Sequence, residues 1–296
     1  MSGLPQGDAL KDAIRALASE IRAKVETQQG GVGTFADHVS GALVAELEQL
    51  DQTLPWEDSL SRLSGKLAEL TTGLRHLQLL TARRAQGRYV DHAARLEMTP
   101  PGVYGVSDVS YTDLLLSQGE GSCLHWKGLP LFKTVYDFSL YPMMLWDTRP
   151  RTIVELGSGA GASAIWLADV AQALGIETHI YSVDLRPPVV ARAGVTFLHG
   201  DCAAIDSVFA TGLIDGAAHP WLVVEDAHVN VPGVLAYCDR HLARGDYLVI
   251  EDSAGKQDDI RAFLARAAGT YAVDTHYTDF FGRNATCAQD SILVRT

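Results

Sequence analysis

Three glycines near the middle of the chain have the spacing of a nucleotide-binding turn. In the stretch Thr152-Ile-Val-Glu-Leu-Gly-Ser-Gly-Ala-Gly-Ala-Ser163, Gly157, Gly159 and Gly161 directly follow a short apolar segment. The next residues have apolar positions at helical spacing, which predicts a helix. A strand, a glycine turn and a helix N-terminus together bring backbone N–H groups close to the polar or anionic end of a ligand. The stretch therefore predicts a site for a nucleotide-like ligand.

Two Glu-Asp pairs come at the ends of two later apolar segments. Glu225 and Asp226 follow the first segment, and Glu251 and Asp252 follow the second. If the segments are neighbouring strands, about 4.8 Å apart, the carboxylates converge, and ionising all of them becomes costly. A divalent cation relieves this repulsion, and carboxylate oxygens suit Mg²⁺. The pairs therefore predict a magnesium site, while a capping role at the following helices would explain them without a metal.

Other polar residues fall close to these positions. His228 follows Glu225 by three residues, so it could be a general base beside a cation, or it could only hydrogen-bond a loop. Lys133 is a second, weaker candidate base. Asp184 ends the second apolar segment and could accept hydrogen bonds from ribose hydroxyls. Asp201, after the third segment, could contact an adenine amino group or cap a helix.

The order of apolar and amphipathic segments predicts how these residues are positioned. From residue 151 onward, short apolar segments alternate with helical patterns, which is typical of a doubly wound, mostly parallel α/β sheet. In such sheets ligands bind beyond the carboxyl ends of the strands, where the strand order reverses. We predict seven strands, at Thr152–Leu156, His179–Val183, Val195–Leu198, Trp221–Val224, Tyr247–Ile250, Ala272–Thr275 and Ser291–Val294.

The domain organisation follows from the same patterns. Residues 1–97 have leucines at helical spacing and are predicted to form an N-terminal helical domain that mediates self-association or covers the substrate. The Pro- and Gly-containing segment after Met98 breaks this pattern, so residues 98–148 are predicted to be a connector and a wall of the ligand cleft. Residues 149–296 then form the ligand-binding catalytic domain. His38, His76 and His92 have no companions at metal-ligand spacing.

Composition restricts the class of protein. The formal net charge of -12 argues against a sequence-independent nucleic-acid binder, which needs clustered Lys and Arg. We find no apolar run long enough for a membrane span and no secretion signal, so we expect a cytoplasmic protein that acts on a small molecule. The four cysteines form no CxxC pair, which argues against a zinc site or a disulfide framework.

The glycine turn fits two patterns of cofactor binding. GxGxxA with Asp184 fits an NAD-dependent oxidoreductase, whereas ExGxGxG fits an S-adenosylmethionine-dependent methyltransferase. Glu155 belongs only to the second pattern, and the paired carboxylates have no role in hydride transfer, so methyl transfer is favoured. The predicted cofactor-binding residues are Glu155, Gly157, Ser158, Gly159, Gly161, Ser163, Asp184 and Asp201.

Several motifs also resemble those of a known family. The motifs are Trp126-Lys-Gly-Leu-Pro130, Arg149-Pro-Arg-Thr-Ile-Val-Glu-Leu-Gly-Ser-Gly159, Val224-Glu-Asp-Ala-His228 and Gly245-Asp-Tyr-Leu-Val-Ile-Glu-Asp-Ser253. Over about residues 120–255 the chain resembles bacterial methyltransferases of the cephalosporin-hydroxylase/rhamnosyl O-methyltransferase group. The resemblance implies a class I methyltransferase fold, S-adenosylmethionine, and Mg²⁺ at Glu225, Glu251 and Asp252. The family usually has Asp where Glu225 stands, so Asp226 is an alternative ligand.

Together these observations predict a magnesium-dependent O-methyltransferase acting on a small molecule, as in bacterial natural-product biosynthesis. An N- or C-methyltransferase on the same fold is the nearest alternative. An NAD-dependent oxidoreductase and a non-catalytic scaffold built on the helical half are more distant ones.

Overall fold

The computed structural model describes residues 65, 68, 87–97, 106–209 and 213–296. The helices predicted between residues 8 and 80 therefore lie outside the described residues. None of the helices in the described part of the chain is long and apolar enough to cross a membrane. The helices of four or more residues are α1 (His92–Glu97), α2 (Tyr111–Leu116), α3 (Val135–Thr148), α4 (Ala162–Ala173), α5 (Ile205–Val208), α6 (Val231–His241), α7 (Gln257–Leu264) and α8 (Thr275–Thr278).

The strands form one large sheet and a small hairpin. The strands are β1 (Tyr89–Val90), β2 (Leu124–Trp126), β3 (Leu129–Leu131), β4 (Thr152–Leu156), β5 (His179–Asp184), β6 (Val195–His199), β7 (Trp221–Glu225), β8 (Tyr247–Ile250), β9 (Tyr271–Asp274) and β10 (Ile292–Arg295). The sheet order is β1-β9-β10-β8-β7-β4-β5-β6, and β2 pairs with β3 separately. The central strands β6, β5, β4, β7 and β8 pair in parallel, whereas β10 is antiparallel to both of its neighbours.

The predicted count of seven strands was wrong for the described residues, because the sheet has eight. All seven predicted segments form strands, and the additional strand β1 pairs antiparallel with β9. Pattern analysis missed β1 because it has two residues and lies in a stretch that we assigned to the helical domain. Residues 87–97, assigned to the domain 1–97, thus contribute a strand to the catalytic sheet.

The sheet is doubly wound because its central strands bury both of their faces. Every residue of β4, β7 and β8 is buried, as expected of parallel strands covered by helices on both sides. The chain leaves β4 toward β5 on one side, while β7 lies on the other side of β4. The strand order therefore reverses between β4 and β7, and a ligand crevice forms at this point beyond their carboxyl ends.

A buried arginine ties α1 to the loop that precedes β10. The Arg95 guanidinium donates to both carboxylate oxygens of Asp279, at 2.6 and 2.8 Å, and to Asp290 at 2.6 Å. Asn284 donates to Asp290 at 2.9 Å and joins the same network. Cys287 and Gln289 of this loop line a cavity of about 850 Å³, which is described below. The arginine therefore also helps to fix one wall of this cavity.

We expect Arg95→Ala to lower the free energy of unfolding by about 3–5 kcal/mol, because it leaves two buried carboxylates without their cation. Arg240→Ala is the matched control, since the Arg240–Asp206 pair is exposed and such pairs contribute less than about 1 kcal/mol. Urea unfolding of both variants measures the difference. Equal destabilisation by the two substitutions would contradict a structural role for the Arg95 cluster.

Candidate active site

The glycine turn connects β4 to α4 through backbone conformations that suit glycine. Gly157, Gly159 and Gly161 all have positive φ angles, of 107°, 50° and 81°. The N–H groups of Gly157 and Ser158 donate to the carbonyl of Val183, which holds the turn against the end of β5. The turn therefore opens toward the carboxyl edge of the sheet.

The buried carboxylate of Glu155 is linked to this turn through two serine hydroxyls. Glu155 accepts a hydrogen bond from the Ser182 hydroxyl, which in turn lies 2.6 Å from the Ser158 hydroxyl. Burial raises the pKa of Glu155, and hydrogen bonds from Ser163 and Ser182 partly oppose that shift. Glu155 and Gly161 do not line the cavity. Both predicted cofactor-binding residues thus shape the turn and do not face the space beside it.

Asp184 is the last residue of β5, and Asp201 follows β6. Both residues line the same cavity. Asp184 accepts hydrogen bonds from the backbone N–H groups of Gly159 at 3.0 Å and Arg186 at 2.8 Å. Asp201 accepts from the N–H of Ala203 at 2.8 Å, so it does cap the short helix that follows. These contacts fix the two carboxylates beside the glycine turn.

The glycine turn is in direct contact with the second group of predicted site residues. A Cβ atom on Gly157 would lie 2.6 Å from the backbone carbonyl oxygen of Asp226. The Asp226 N–H also donates to the Leu156 carbonyl at 2.8 Å. The close approach of these two backbone segments brings the carboxylates after β7 next to the turn after β4.

Three side chains form a small group that could hold a metal ion. Asp226, His228 and Asp252 each offer a ligand atom, and these atoms lie within 4.8 Å of one another. His228 Nε2 is 3.2 Å from an Asp226 oxygen and 3.5 Å from an Asp252 oxygen. The hydrogen bond with Asp226 raises the pKa of His228. Burial and the neighbouring Asp226 charge raise the pKa of Asp252, which indicates carboxylate repulsion at this point.

Lys133 lies behind this group and is fully paired. Its ammonium contacts Glu251 and lies 3.3 Å from Asp226, while the Tyr141 hydroxyl donates to Glu251 at 2.6 Å. Burial alone would lower the pKa of Lys133, but the two carboxylates raise it well above its ordinary value. The general-base role of Lys133 stays a prediction, and the contacts seen here are ion pairs with these two carboxylates. Lys133 neutralises the carboxylates.

Glu225 takes no part in the group with Asp226, His228 and Asp252. Its side chain is fully buried, does not line the cavity, and lies 2.7 Å from the Lys256 ammonium. Its other oxygen accepts weak hydrogen bonds from the N–H groups of Ala227 and His228. The structure therefore differs from the predicted ligand role, because a buried lysine already neutralises this carboxylate.

One cavity of about 850 Å³ contains the remaining predicted residues. Ligand pockets in proteins span about 300–1,000 Å³, so this cavity is large. Of the predicted site residues, those that line it are Lys133, Gly157, Ser158, Gly159, Ser163, Asp184, Asp201, Asp226, His228, Glu251 and Asp252.

Comparisons with known proteins show what this chain is similar to. A family model described as "Rhamnosyl O-methyltransferase/CmcI" matches residues 121–267. The rhamnosyl O-methyltransferase of Mycobacterium leprae is 26% identical over 191 residues, which cover 57% of this chain and 82% of that protein. The chain is an S-adenosylmethionine-dependent methyltransferase that is similar to this group.

Two solved structures show the same architecture. An apo structure of CmcI N160 is 27% identical to the methyltransferase, covers 58% of this chain and 76% of its own, and has a TM-score of 0.51. A structure of CmcI D160 with Mg and S-adenosylmethionine is 24% identical, covers 73% and 95% of the two chains, and also has a TM-score of 0.51. The second match establishes the similarity of fold.

Sequence reasoning missed two residues that hold the site of this methyltransferase together. Tyr141 was not singled out, yet its hydroxyl donates to Glu251 at 2.6 Å. Lys256 was not singled out, although it donates to Glu225 and to the Glu251 carbonyl, both at 2.7 Å. A buried carboxylate requires a partner, so the position of Glu225 at a strand end was the available signal for a missing cation.

We expect Gly157→Ala to lower stability and to weaken binding of S-adenosylhomocysteine, because its Cβ would displace the Asp226 backbone. Gly175→Ala is the matched control: Gly175 has a φ of 66° with no atom within 4 Å of an added Cβ, so it carries only the conformational cost of about 1–2 kcal/mol. Urea unfolding and calorimetric titration measure both quantities. Unchanged binding of S-adenosylhomocysteine by Gly157→Ala would contradict the expectation that the close contact between Gly157 and the Asp226 backbone shapes the cofactor site.

We expect Lys256→Met to lower the free energy of unfolding by about 3–5 kcal/mol, because Glu225 is left buried without a cation. Lys256→Met combined with Glu225→Gln should recover part of this loss. Lys127→Met is the control, because Lys127 is mostly exposed and its partner Asp169 keeps Arg192 as a second cation, so it should cost less than about 1 kcal/mol. Urea unfolding measures the stability of all these variants. The assignment of Lys256 as the cation that neutralises Glu225 would be wrong if the double variant were no more stable than Lys256→Met.

Proposed function

We propose that this methyltransferase transfers a methyl group to a hydroxyl oxygen of a small molecule, with the help of Mg²⁺. The observation that supports the proposal is that one cavity contains both the glycine turn and the group formed by Asp226, His228 and Asp252. A natural-product acceptor, a cytoplasmic location and self-association through residues 1–97 complete the proposal, and they rest on the sequence.

The residues present fit a divalent cation of the magnesium type. Mg²⁺ prefers oxygen ligands and commonly binds through one or two carboxylates, with the remaining positions left for water or substrate. Asp226 and Asp252 supply two such carboxylates beside His228. Glu225 is paired with Lys256, and Lys133 contacts Glu251 more closely than it contacts Asp226. A protein of the same fold, CmcI D160, has been solved with Mg and S-adenosylmethionine, so Mg²⁺ is the first cation to test.

The residues of the glycine turn fit S-adenosylmethionine. Backbone N–H groups at the start of α4 suit its carboxylate end, and Asp184 is placed for its ribose hydroxyls. When bound, the cofactor supplies an electrophilic methyl group, and the cation supplies Lewis-acid activation of an acceptor hydroxyl. The protein's contribution is to hold donor and acceptor in the orientation required for transfer.

His228 is the proposed general base. Its side chain is half exposed and lines the cavity beside both carboxylates. It can therefore reach a hydroxyl held near Asp226 and Asp252, and the Asp226 carboxylate stabilises the imidazolium that forms when the proton is accepted. Because its pKa is raised, the neutral imidazole that is needed at the start dominates only on the alkaline side of that pKa.

The alternatives differ in what they require of the site. The family match favours methyl transfer over hydride transfer by a bound NAD. An N- or C-methyltransferase would use the same cofactor residues without needing a cation to activate a hydroxyl. The group around Asp252 therefore favours the oxygen acceptor, and the NMR chemical shift of the transferred methyl group distinguishes oxygen, nitrogen and carbon acceptors.

We expect the protein to bind S-adenosylhomocysteine but not NAD, and to bind Mn²⁺ as a probe of the cation site. Asp252→Asn should weaken Mn²⁺ binding at least roughly tenfold, the lower end of what losing even an outer-sphere partner costs. Asp258→Asn is the control, since that carboxylate is exposed and lies 3.3 Å from the Arg261 guanidinium. Calorimetry and electron paramagnetic resonance measure these affinities. Preferential binding of NAD would overturn the proposal of methyl transfer. A Mn²⁺ affinity that is unchanged in Asp252→Asn would remove the cation from the proposed mechanism.

A further inference from the structure

One part of the cavity wall is apolar and faces solvent. Tyr111, Leu114 and Leu115 of α2 line it, together with Phe132 after β3 and Val229 beside His228. Tyr111 is 73% exposed and Phe132 is 59% exposed, Leu115 and Val229 are also exposed, and Leu114 is buried beneath the surface. Exposed apolar side chains that line one cavity are candidates for a ligand-binding surface. This apolar wall, defined by these five residues, is therefore a candidate binding surface.

The wall is held in place by the fold. Ser110 caps α2 by accepting from the Asp113 N–H at 3.1 Å. The segment before it is anchored to the loop after α8, where Asp108 and Arg283 exchange two backbone-linked hydrogen bonds of 2.9 Å. The segment before the helix and its N-terminus are therefore fixed, and Tyr111 and Leu115 of this helix line the cavity.

The residues proposed to bind the cofactor and the cation do not include any residue of this apolar wall. The proposed cofactor residues are glycine backbone, serines and aspartates, the proposed cation residues are two carboxylates, and the proposed base is an imidazole. None of these sets uses α2 or Phe132. A volume of about 850 Å³ lies near the upper end of the range of about 300–1,000 Å³ for ligand pockets. The cavity therefore has space for an acceptor that extends from the carboxylates to the apolar wall.

We infer that the methyl acceptor has an apolar body, alkyl or aryl, with its oxygens at one end. The oxygens lie toward Asp226, His228 and Asp252, and the apolar body packs against Leu115 and Phe132. The inference rests on the proposed function, which it deepens by naming the class of substrate. An acceptor that is polar throughout would leave this wall in water.

The test uses 4-alkylcatechols, from methyl to hexyl, as probes with two adjacent oxygens and a variable apolar tail. Calorimetry measures their binding to the full chain in the presence of S-adenosylhomocysteine and Mg²⁺. Each added methylene should improve affinity roughly threefold to fourfold while it is being buried. Leu115→Ser and Phe132→Ser should flatten this dependence on chain length without changing the affinity for S-adenosylhomocysteine.

Leu116→Ser is the matched control, because Leu116 is 70% exposed on the same helix but does not line the cavity. It should leave the chain-length dependence unchanged. The inference is overturned if no alkylcatechol binds, if affinity is independent of tail length, or if Leu116→Ser and Leu115→Ser act alike. It also fails if the wall variants change only the sedimentation of the protein, which would show that the wall contacts another protein chain.

These outcomes are separate from those of the proposed function. Binding of S-adenosylhomocysteine and Mn²⁺ that survives, together with affinity independent of tail length, would leave the methyltransferase assignment standing and remove the apolar acceptor. Catechol binding that is the same with and without Mg²⁺ and unchanged in Asp252→Asn, with the chain-length dependence intact, would instead remove the cation and leave the apolar acceptor standing.

Discussion

Negative charge concentrated at the carboxyl ends of β7 and β8 is the constraint on which the site depends. Each strand ends in a Glu-Asp pair, and the two strands are direct neighbours in the sheet. Carboxylates this close cannot all stay ionised at low cost unless cations lie among them. Two buried lysines, one from the segment before α3 and one from the start of α7, meet this requirement for the two glutamates.

The sequence predicts the positions of these carboxylates better than their roles. Apolar patterning identifies β7 and β8 and so places Glu225, Asp226, Glu251 and Asp252 at one edge of the sheet, and the structure confirms that placement. The pairing depends on which side each oxygen faces. In β7, Glu225 turns inward to Lys256 while Asp226 turns to the cavity, and no periodic pattern distinguishes two adjacent acids at a strand end.

The same limit explains the other differences between sequence and structure. Strand β1 has two residues and pairs with β9 across most of the length of the described chain, so no local signal marks it. The residues of α2 in the apolar wall are apolar in sequence, but an apolar stretch alone does not show whether a helix faces a core or a cavity. Glu155 matches a cofactor pattern and yet acts through Ser182 and the turn, because a motif records a position and not the direction of a side chain.

The charge balance of the four carboxylates accounts for their division of labour. Lys256 neutralises Glu225, while Lys133 contacts Glu251 and lies 3.3 Å from Asp226. Asp226 and Asp252 are the two carboxylates that lie beside the half-exposed imidazole of His228. Mg²⁺ commonly binds through one or two carboxylates and keeps its other positions for water or substrate, so these two aspartates suit it. The lysines therefore do more than stabilise the fold. They balance the glutamates and share one positive charge with Asp226, at the point where the glycine turn and the apolar wall meet the same cavity.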